Sequence, residues 1–227
     1  MAEREYRSTL RQEQAAQTRE RIVGAARDLF ATEGFAATTV AGIARRAGVA
    51  APTVYATLGS KAGIVEALLA RLEDDADTPA ASRADIAAEA DPARKLTLTA
   101  RWHRHFYAAG RTVIAAADEA RGEPAVRALH ERGDRTARQW HAALVTALRD
   151  AGVLRPGLTE ERAADLLWAL CGPELYLRLT GVCGWDDDAY EEFLAELLLA
   201  QVLGQSPGGV GWSGTGSRSR AKPNRSR

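Results

Sequence analysis

The sequence predicts an all-α protein, with a short helical unit at the N-terminus followed by a longer helical body. The 227 residues include 46 Ala and 24 Leu against 20 Gly and 8 Pro, and Ala and Leu are strong helix formers. Apolar residues also recur at spacings of three and four along several segments, the pattern of one face of an amphipathic helix. With 46% apolar and 26% charged residues, the composition is that of an ordinary globular protein.

The N-terminal unit is predicted to contain four helices separated by short turns. Gly34 suits the left-handed turn that ends a helix. Thr39 and Ser60 are good N-cap residues, and Pro52 fits the first turn of a helix. The predicted helices span residues 18–33, 40–46, 51–57 and 61–75.

The body is predicted to be a bundle of longer helices. Residues 76–90 lack a firm apolar stripe and are expected to form a linker with some helix. Gly172-Pro173 is expected to kink the most apolar helix, because proline removes a hydrogen bond and adds a clash. The segment from Gly204 onward is rich in Gly, Ser and Arg and is expected to be a disordered basic tail. The predicted helices of the body span residues 91–109, 112–120, 124–150, 160–181 and 187–202.

The net charge of zero conceals an uneven distribution. Residues 1–70 carry a net charge of +2, residues 71–203 carry −7 and residues 204–227 carry +5. A mildly basic unit attached to an acidic body is compatible with a local DNA-binding face.

Several other classes of protein are disfavoured by the sequence. No apolar run approaches the ~18–20 residues of a membrane helix, and the first residues lack the apolar core of a secretion signal. A cytoplasmic protein without membrane contact is therefore expected. Cys171 and Cys183 cannot supply a four-ligand zinc site, and His103 and His105 point to different sides of one helix. Neither a metal, nor a cofactor, nor an enzymatic activity is expected, and Cys171 is interpreted as a buried structural residue.

Residues 38–57 fit a helix-turn-helix in physical detail. Ala44 is small and lies four residues before Gly48, so the two helices can approach closely while Gly48 adopts a positive φ in the turn. Ile43, Val49 and Val54 fall where the pair must face a core. The second helix is short and polar on its outer side, as a helix entering the major groove must be.

The sequence here resembles the TetR family of transcriptional regulators. The resemblance covers residues 18–67 and is carried by TRERIVGAARDLFATEGF, TTVAGIARRAGV and TVYATLGSKAGIV. A weaker likeness to the effector domains of this family lies in LRPGLTEERAADLLWAL and the following PELY. The resemblance to the family implies an extension at residues 1–17 and a helix-turn-helix DNA-binding domain at 18–66. It also implies an effector-binding and dimerisation domain at 67–203, followed by the tail at 204–227.

The resemblance also implies which residues meet double-stranded operator DNA. Hydroxyl and ammonium groups near helix N-termini are suited to positioning phosphates. The expected contacts are Thr39, Arg45, Ala51, Pro52, Thr53, Tyr55, Thr57 and Lys61.

The sequence departs from the family pattern in its second and third helices. Ala50, Ala51 and Ala56 stand where the family often has polar or aromatic residues, and Gly42 replaces a frequent acidic one. Alanine can touch a thymine methyl but offers no hydrogen bond. Specificity is therefore expected to depend on Arg45, Thr53, Tyr55 and DNA shape.

The body is expected to form a homodimer and to bind a small, largely apolar effector that releases the operator. The dimer interface is predicted from the apolar surface of the last two long helices: Leu166, Leu167, Leu170, Leu175, Phe193, Leu197 and Leu198. The effector pocket is predicted from large aromatic and a few polar side chains: Trp102, His103, Phe106, Tyr107, Trp140, His141, Trp168 and Glu174. The resemblance favours a repressor over an activator. The alternative is a helical ligand-binding or interaction dimer whose DNA binding is weakened by the three alanines.

Overall fold

The computed structural model describes residues 2–76 and 82–205, with side chains described from residue 12 and omitted at 73–76. All regular structure within these residues is helical. The N-terminal helices are α1 (Ala2–Ala37), α2 (Val40–Ala47), α3 (Ala51–Leu58) and α4 (Lys61–Ala76). The body contains α5 (Arg83–Ala88), α6 (Pro92–Glu119), α7 (Pro124–Asp150), α8 (Glu160–Leu170), α9 (Pro173–Tyr176) and α10 (Asp187–Leu198). The all-α fold predicted from the sequence is confirmed. Most of the predicted disordered tail, from residue 206, and part of the predicted linker, residues 77–81, lie outside the described residues.

The first helix is longer than predicted, because it begins at Ala2 rather than near Thr18. Its path changes at Gly34, whose φ of 78° and ψ of 169° are not helical. This is the positive φ expected of the glycine there. The last residues of the element, 35–37, therefore turn away from the helix axis and lead into α2.

The core around α1–α4 is closed by the body. Ile22 and Phe30 of α1 pack with Ile43 of α2 and Ile64 of α4. Val113, Ala116 and Ala117 of α6 and Val126 of α7 belong to the same buried cluster. The helix-turn-helix unit thus shares one hydrophobic core with the end of α6.

A second core fills the body between α6, α7, α8 and α10. Leu96 and Ala100 of α6, Val145 and Leu148 of α7, Leu167 of α8 and Leu194 of α10 are completely or almost completely buried there. Ion pairs join α6 and α10 at the surface: Arg101 with Glu191 at 3.0 Å, and Arg104 with Asp188 at 2.7 Å.

The predicted break in α6 near residue 110 is wrong, because Pro92–Glu119 form one continuous helix. Gly110 is instead a point of close contact. A Cβ at this position would lie 2.5 Å from Leu72 Cδ1, so the missing side chain lets α4 approach α6. Tertiary packing, rather than a turn, accounts for this glycine.

The predicted kink at Gly172-Pro173 is confirmed. The helix stops at Leu170, and α9 begins at Pro173 before continuing as a π-helical turn from Leu177 to Val182. A second π-helical turn, Leu199–Leu203, follows α10. No described helix is long and apolar enough to cross a membrane.

Candidate DNA-binding surface and effector pocket

The turn between α2 and α3 has helix-turn-helix geometry. Thr39 caps α2, and its Oγ1 accepts a hydrogen bond from the Gly42 N–H at 3.0 Å. Gly48 has φ 65° and ψ 38°, the left-handed conformation that the sequence predicts for it. The Val49 N–H donates to the Ala44 carbonyl at 3.0 Å and closes the turn. Ala44 is buried, as close approach of the two helices requires.

The predicted DNA contacts mostly lie on the accessible side of this motif. Thr39, Arg45, Pro52 and Tyr55 are exposed, and Tyr55 is 54% accessible despite its aromatic ring. Ala51, Thr53, Thr57 and Lys61 are half-buried. Ala51 packs against the core, and the Thr57 hydroxyl donates to the Thr53 carbonyl at 2.7 Å. The accessible part of the surface is therefore centred on Arg45 and Tyr55.

Arg45 and Arg46 are neighbours with different surroundings. The Arg46 guanidinium pairs with Asp28 of α1 at 2.9 Å. Arg45 is exposed and makes no ion pair with any side chain that the structure describes. Its positive charge is thus available to an external anion, whereas that of Arg46 is partly neutralised.

Lys61 fixes the segment between α1 and α2. Its Nζ donates to the carbonyls of Phe35 at 2.7 Å and Thr38 at 3.2 Å, and lies 3.9 Å from the centre of the Phe35 ring. An ammonium has three donors, so one remains for a phosphate. The sequence did not predict this structural role, because the partners are backbone atoms more than twenty residues away.

Glu119, at the end of α6, contacts the same segment from the body. Its Oε2 accepts a hydrogen bond from the Phe35 N–H at 3.0 Å, and its Oε1 accepts one from the Ala36 N–H at 3.4 Å. Segment 34–38 is therefore held by Lys61 through its carbonyl groups and by Glu119 through its N–H groups. No local pattern distinguishes this glutamate from the other acidic residues, which number thirty in all.

Six of the eight predicted pocket residues form one aromatic cluster between α6 and α7. The rings of Trp102 and Phe106 stack with centres 5.2 Å apart, and those of Trp102 and Trp140 are 5.4 Å apart. The His103 ring lies 5.6 Å from that of His141. Tyr107 completes the cluster beside His103 at 5.9 Å.

The other two predicted pocket residues lie outside this cluster. Trp168 is half-buried, and the Arg138 guanidinium sits 3.9 Å from the centre of its ring. Glu174 is exposed and pairs with Arg121 at 3.0 Å. Both lie in a segment that is apolar nearly all round, so the sequence does not show which of its faces turns inward.

The polar groups of the cluster are deeply buried. Burial lowers the pKa of His103 to about 4 and that of His141 to about 3, so both rings are neutral near pH 7. Burial also raises the pKa of the Tyr107 phenol and the Cys171 thiol. The Tyr107 hydroxyl donates to the Cys171 carbonyl. The cluster is thus an uncharged interior with a few oriented polar atoms.

The predicted dimer residues divide into two groups. Leu167 and Leu198 are 0% exposed within the single chain, so their assignment to the interface is corrected: they belong to the core of the body. The helix of Leu167 is apolar nearly all round, and Leu198 stands in an unbroken run of three leucines, so the sequence does not define which side of either residue's helix faces inward. The other five predicted residues are half-buried: Leu166, Leu170, Leu175, Phe193 and Leu197.

Comparison with known proteins identifies the N-terminal segment. Residues 22–68 match the family model described as bacterial regulatory proteins, tetR family. No curated protein matches the chain.

Several solved structures share the fold. NalD, the secondary repressor of the MexAB-OprM multidrug efflux pump of Pseudomonas aeruginosa, aligns with a TM-score of 0.67 and 23% identity over 84% of this chain and 98% of its own. FadR of Bacillus subtilis in complex with stearoyl-CoA gives 0.64 and 20% over 80% and 98%. SmeT in complex with triclosan gives 0.64 and 20% over 85% and 96%. Residues 22–68 thus match the tetR family model, and the alignments over most of the chain show the same fold, an N-terminal helix-turn-helix followed by a C-terminal helical body.

Proposed function

We propose that this chain is a sequence-specific DNA-binding repressor, active as a homodimer and released from its operator by a small, largely apolar ligand. In this proposal residues 18–66 form the DNA-binding domain, and residues 67–203 bind the effector and dimerise. The observation that carries it is a geometrically complete helix-turn-helix whose outer face presents Arg45 and Tyr55 to solvent. Both side chains are exposed and belong to neither hydrophobic core of the described chain.

The contacts proposed for DNA follow from accessibility. Arg45 can offer a bidentate donor to guanine or a positive charge to a phosphate. Tyr55 and Thr39 carry hydroxyls suited to phosphate oxygens, and Pro52 and Thr53 begin the helix that would enter the major groove. Ala51 packs inward and so contributes little more than a methyl group. Lys61 has one donor left for phosphate once its two carbonyl bonds are made.

DNA binding is tested with Arg45→Ala and its neighbour Arg46→Ala. An operator is first selected from random duplex DNA with the full chain, and affinity is then measured at several salt concentrations. Arg45→Ala is expected to cost about 1–3 kcal/mol of binding free energy. Arg46→Ala should cost much less, because Asp28 already pairs with that guanidinium.

Equal losses in the two variants would contradict the assignment of Arg45. Failure to select any sequence from the random pool would favour the alternative function, a ligand-binding dimer with weak DNA affinity. That alternative is supported by Ala50 and Ala56, which are exposed on the motif without a hydrogen-bonding group.

The effector site is proposed at the cluster of Trp102, His103, Phe106, Tyr107, Trp140 and His141. Ligand pockets are mostly apolar with a few orienting polar groups, and this cluster combines three large hydrophobic rings with two neutral imidazoles. The solved structures with triclosan and stearoyl-CoA bound provide the analogy. A ligand acts only through its different affinity for the DNA-competent and released states.

The site is tested by tryptophan fluorescence during a screen of apolar compounds. A true effector should quench the fluorescence and dissociate the operator at matching concentrations. The quenching should be lost in the double variant Trp102→Phe, Trp140→Phe and retained in Trp185→Phe, which lies outside the cluster. A tight ligand that leaves operator affinity unchanged would contradict the release mechanism.

The dimer is proposed to form through the outer faces of α8 and α10. Leu166, Phe193 and Leu197 are half-buried and belong to neither core cluster. Leu197→Glu should give monomers in light scattering and strongly weaken operator binding. Tyr55→Glu introduces the same charge on the DNA-binding unit and should leave the dimer intact. A Leu197→Glu protein that remains dimeric would rule out this interface.

A further inference from the structure

Three side chains with metal-ligating atoms converge in the interior of the body. His103 comes from α6, His141 from α7, and Cys171 from the end of α8. A ligating atom of each lies within 4.8 Å of those of the other two. Their exposed fractions are 4%, 1% and 2%. The three residues are separated by 38 and 30 positions in the sequence, so only the fold brings them together.

His103 is oriented as metal-binding histidines usually are. Its Nδ1 lies 2.8 Å from the Thr99 carbonyl oxygen. Because a carbonyl can only accept, Nδ1 carries the proton and Nε2 presents a lone pair. In metal-binding histidines, the N–H of the ring nitrogen that does not bind the metal commonly donates a hydrogen bond to a backbone carbonyl, which fixes the orientation of the ring.

His141 differs from His103 in that no hydrogen bond within the described residues holds its ring. Both of its ring nitrogens are buried, and neither has a hydrogen-bond partner within the described part of the chain. The great majority of buried polar atoms in native proteins are paired. The Tyr190 hydroxyl is also buried and unpaired. A neutral imidazole carries one N–H and one lone pair, and an unpaired lone pair on a buried ring is a suitable ligand for a cation.

We propose that His103, His141 and Cys171 form a buried site for a thiophilic transition-metal ion, Zn²⁺ or Cu⁺. Two imidazole nitrogens and one thiolate are ligands that these ions prefer, whereas Mg²⁺ and Ca²⁺ require oxygen. With metal–nitrogen bonds of about 2.0 Å and metal–sulfur bonds of about 2.3 Å, the ligand atoms would lie roughly 3.4–3.8 Å apart. The described spacing of up to 4.8 Å therefore closes with side-chain movements of about 1 Å.

Binding is balanced by the release of one proton. A cysteine binds a metal ion as its thiolate, so the Cys171 thiol must lose its proton when the ion binds. The ion replaces that proton, which passes to solvent, and a metal–sulfur bond forms in place of the S–H bond. Both imidazoles enter the site neutral, so no other proton is displaced. His103 and His141 also belong to the proposed effector cluster, but the metal site requires no DNA binding and would persist if the proposed repressor function were wrong.

The chain offers a matched control for every ligand. It contains four histidines and two cysteines, so His105, His130 and Cys183 remain once the three proposed ligands are set aside. The triple variant His105→Gln, His130→Gln, Cys183→Ser keeps only the proposed site. The opposite variants are Cys171→Ala and His141→Leu, the second of which replaces an unpaired imidazole with an apolar side chain of similar size.

The test uses the full chain, stripped with a chelator and kept reduced. Zn²⁺, Co²⁺ as a spectroscopic substitute and Cu⁺ are titrated separately, with stoichiometry from elemental analysis and folding followed by circular dichroism. Wild type and the triple variant should each bind one ion per chain, show a thiolate-to-cobalt charge-transfer band and melt at a higher temperature with metal. Cys171→Ala should lose the band, and both it and His141→Leu should bind more than about 10-fold more weakly while remaining folded.

The relative affinity for Zn²⁺ and Cu⁺ identifies the preferred ion. Absence of binding to folded wild type would overturn the proposal. It would also be overturned if Cys171→Ala kept the charge-transfer band or if the triple variant lost it, because the thiolate would then be Cys183. Should His141→Leu fail to fold, the comparison of Cys171→Ala with Cys183→Ser decides the same question.

Discussion

Removal of the Glu119 carboxylate should loosen the junction between the body and the helix-turn-helix. Phe35 and Ala36 donate their backbone N–H groups to this side chain at 3.0 and 3.4 Å. Phe35 is otherwise buried, with the Lys61 ammonium on its ring. In Glu119→Ala the Phe35 N–H therefore loses its acceptor in a place with little access to water.

The expected magnitude follows from these two contacts. A hydrogen bond to a charged group contributes about 1.5–3 kcal/mol. The bond at 3.4 Å is weak, and Glu119 is itself exposed, so we count one bond at the lower end of that range. The free energy of unfolding should fall by about 1.5 kcal/mol. For a chain of this size, that corresponds to a decrease in Tm of about 3–6 °C.

The assay combines thermal unfolding with hydrogen exchange at individual amides. Asp118→Ala is the matched control, because it removes the same charge from the same helix end but only breaks a surface pair with Arg121 at 3.2 Å. Such pairs contribute little, so its Tm should stay within about 1 °C of wild type. Exchange at Phe35 and Ala36 should accelerate in Glu119→Ala alone. If the two variants melt together and exchange alike, Glu119 does not hold the junction.

Three further predictions concern single side chains. Gly63→Ala would place a Cβ 2.0 Å from the Leu58 carbonyl oxygen, so the turn between α3 and α4 must move; weaker operator binding should accompany a loss of about 1–3 kcal/mol in chemical denaturation. Lys61→Ala leaves two backbone carbonyls without their donor and should cost about 1–3 kcal/mol of stability; its salt slope for DNA binding should also fall by about one unit per subunit if the ammonium reaches a phosphate. Gly133→Ala and Gly110→Ala should have opposite effects on Tm. The first fills open space on a helix and should stabilise by about 0.5–1 kcal/mol, whereas the second meets a buried leucine at 2.5 Å.

The sequence predicts best those features that are determined by neighbouring residues. Thr39, Gly48 and Pro52 act within a few positions of themselves, and the helix boundaries they indicate agree closely with α2 and α3. The helix break predicted near residue 110 is wrong, because Gly110 serves a contact with Leu72 of another helix. The assignment of Leu198 to the dimer interface is wrong, because apolar residues lie on several sides of α10 and its flanks. Only the packing of the body determines which of these sides is buried.

The candidate sites show the same division. The aromatic residues of α6 could be grouped from helical spacing, but Cys171 enters their neighbourhood from α8. No histidine lies within helical reach of Cys171 in the sequence, so spacing alone does not connect it with His103 and His141. Glu119 and Lys61 likewise bond to backbone atoms of a distant segment. Such contacts leave no periodic pattern in the sequence.

The continuity of α6 gives it the mechanical properties of a rigid rod. At about 1.5 Å per residue, the 16 residues from His103 to Glu119 span roughly 24 Å. A tilt of only about 2.5° at the buried cluster would therefore displace the Glu119 end by about 1 Å. That displacement is delivered to segment 34–38, whose amides the carboxylate binds. A hinge at residue 110 would have absorbed such a tilt, whereas an unbroken helix increases the displacement with distance from the cluster.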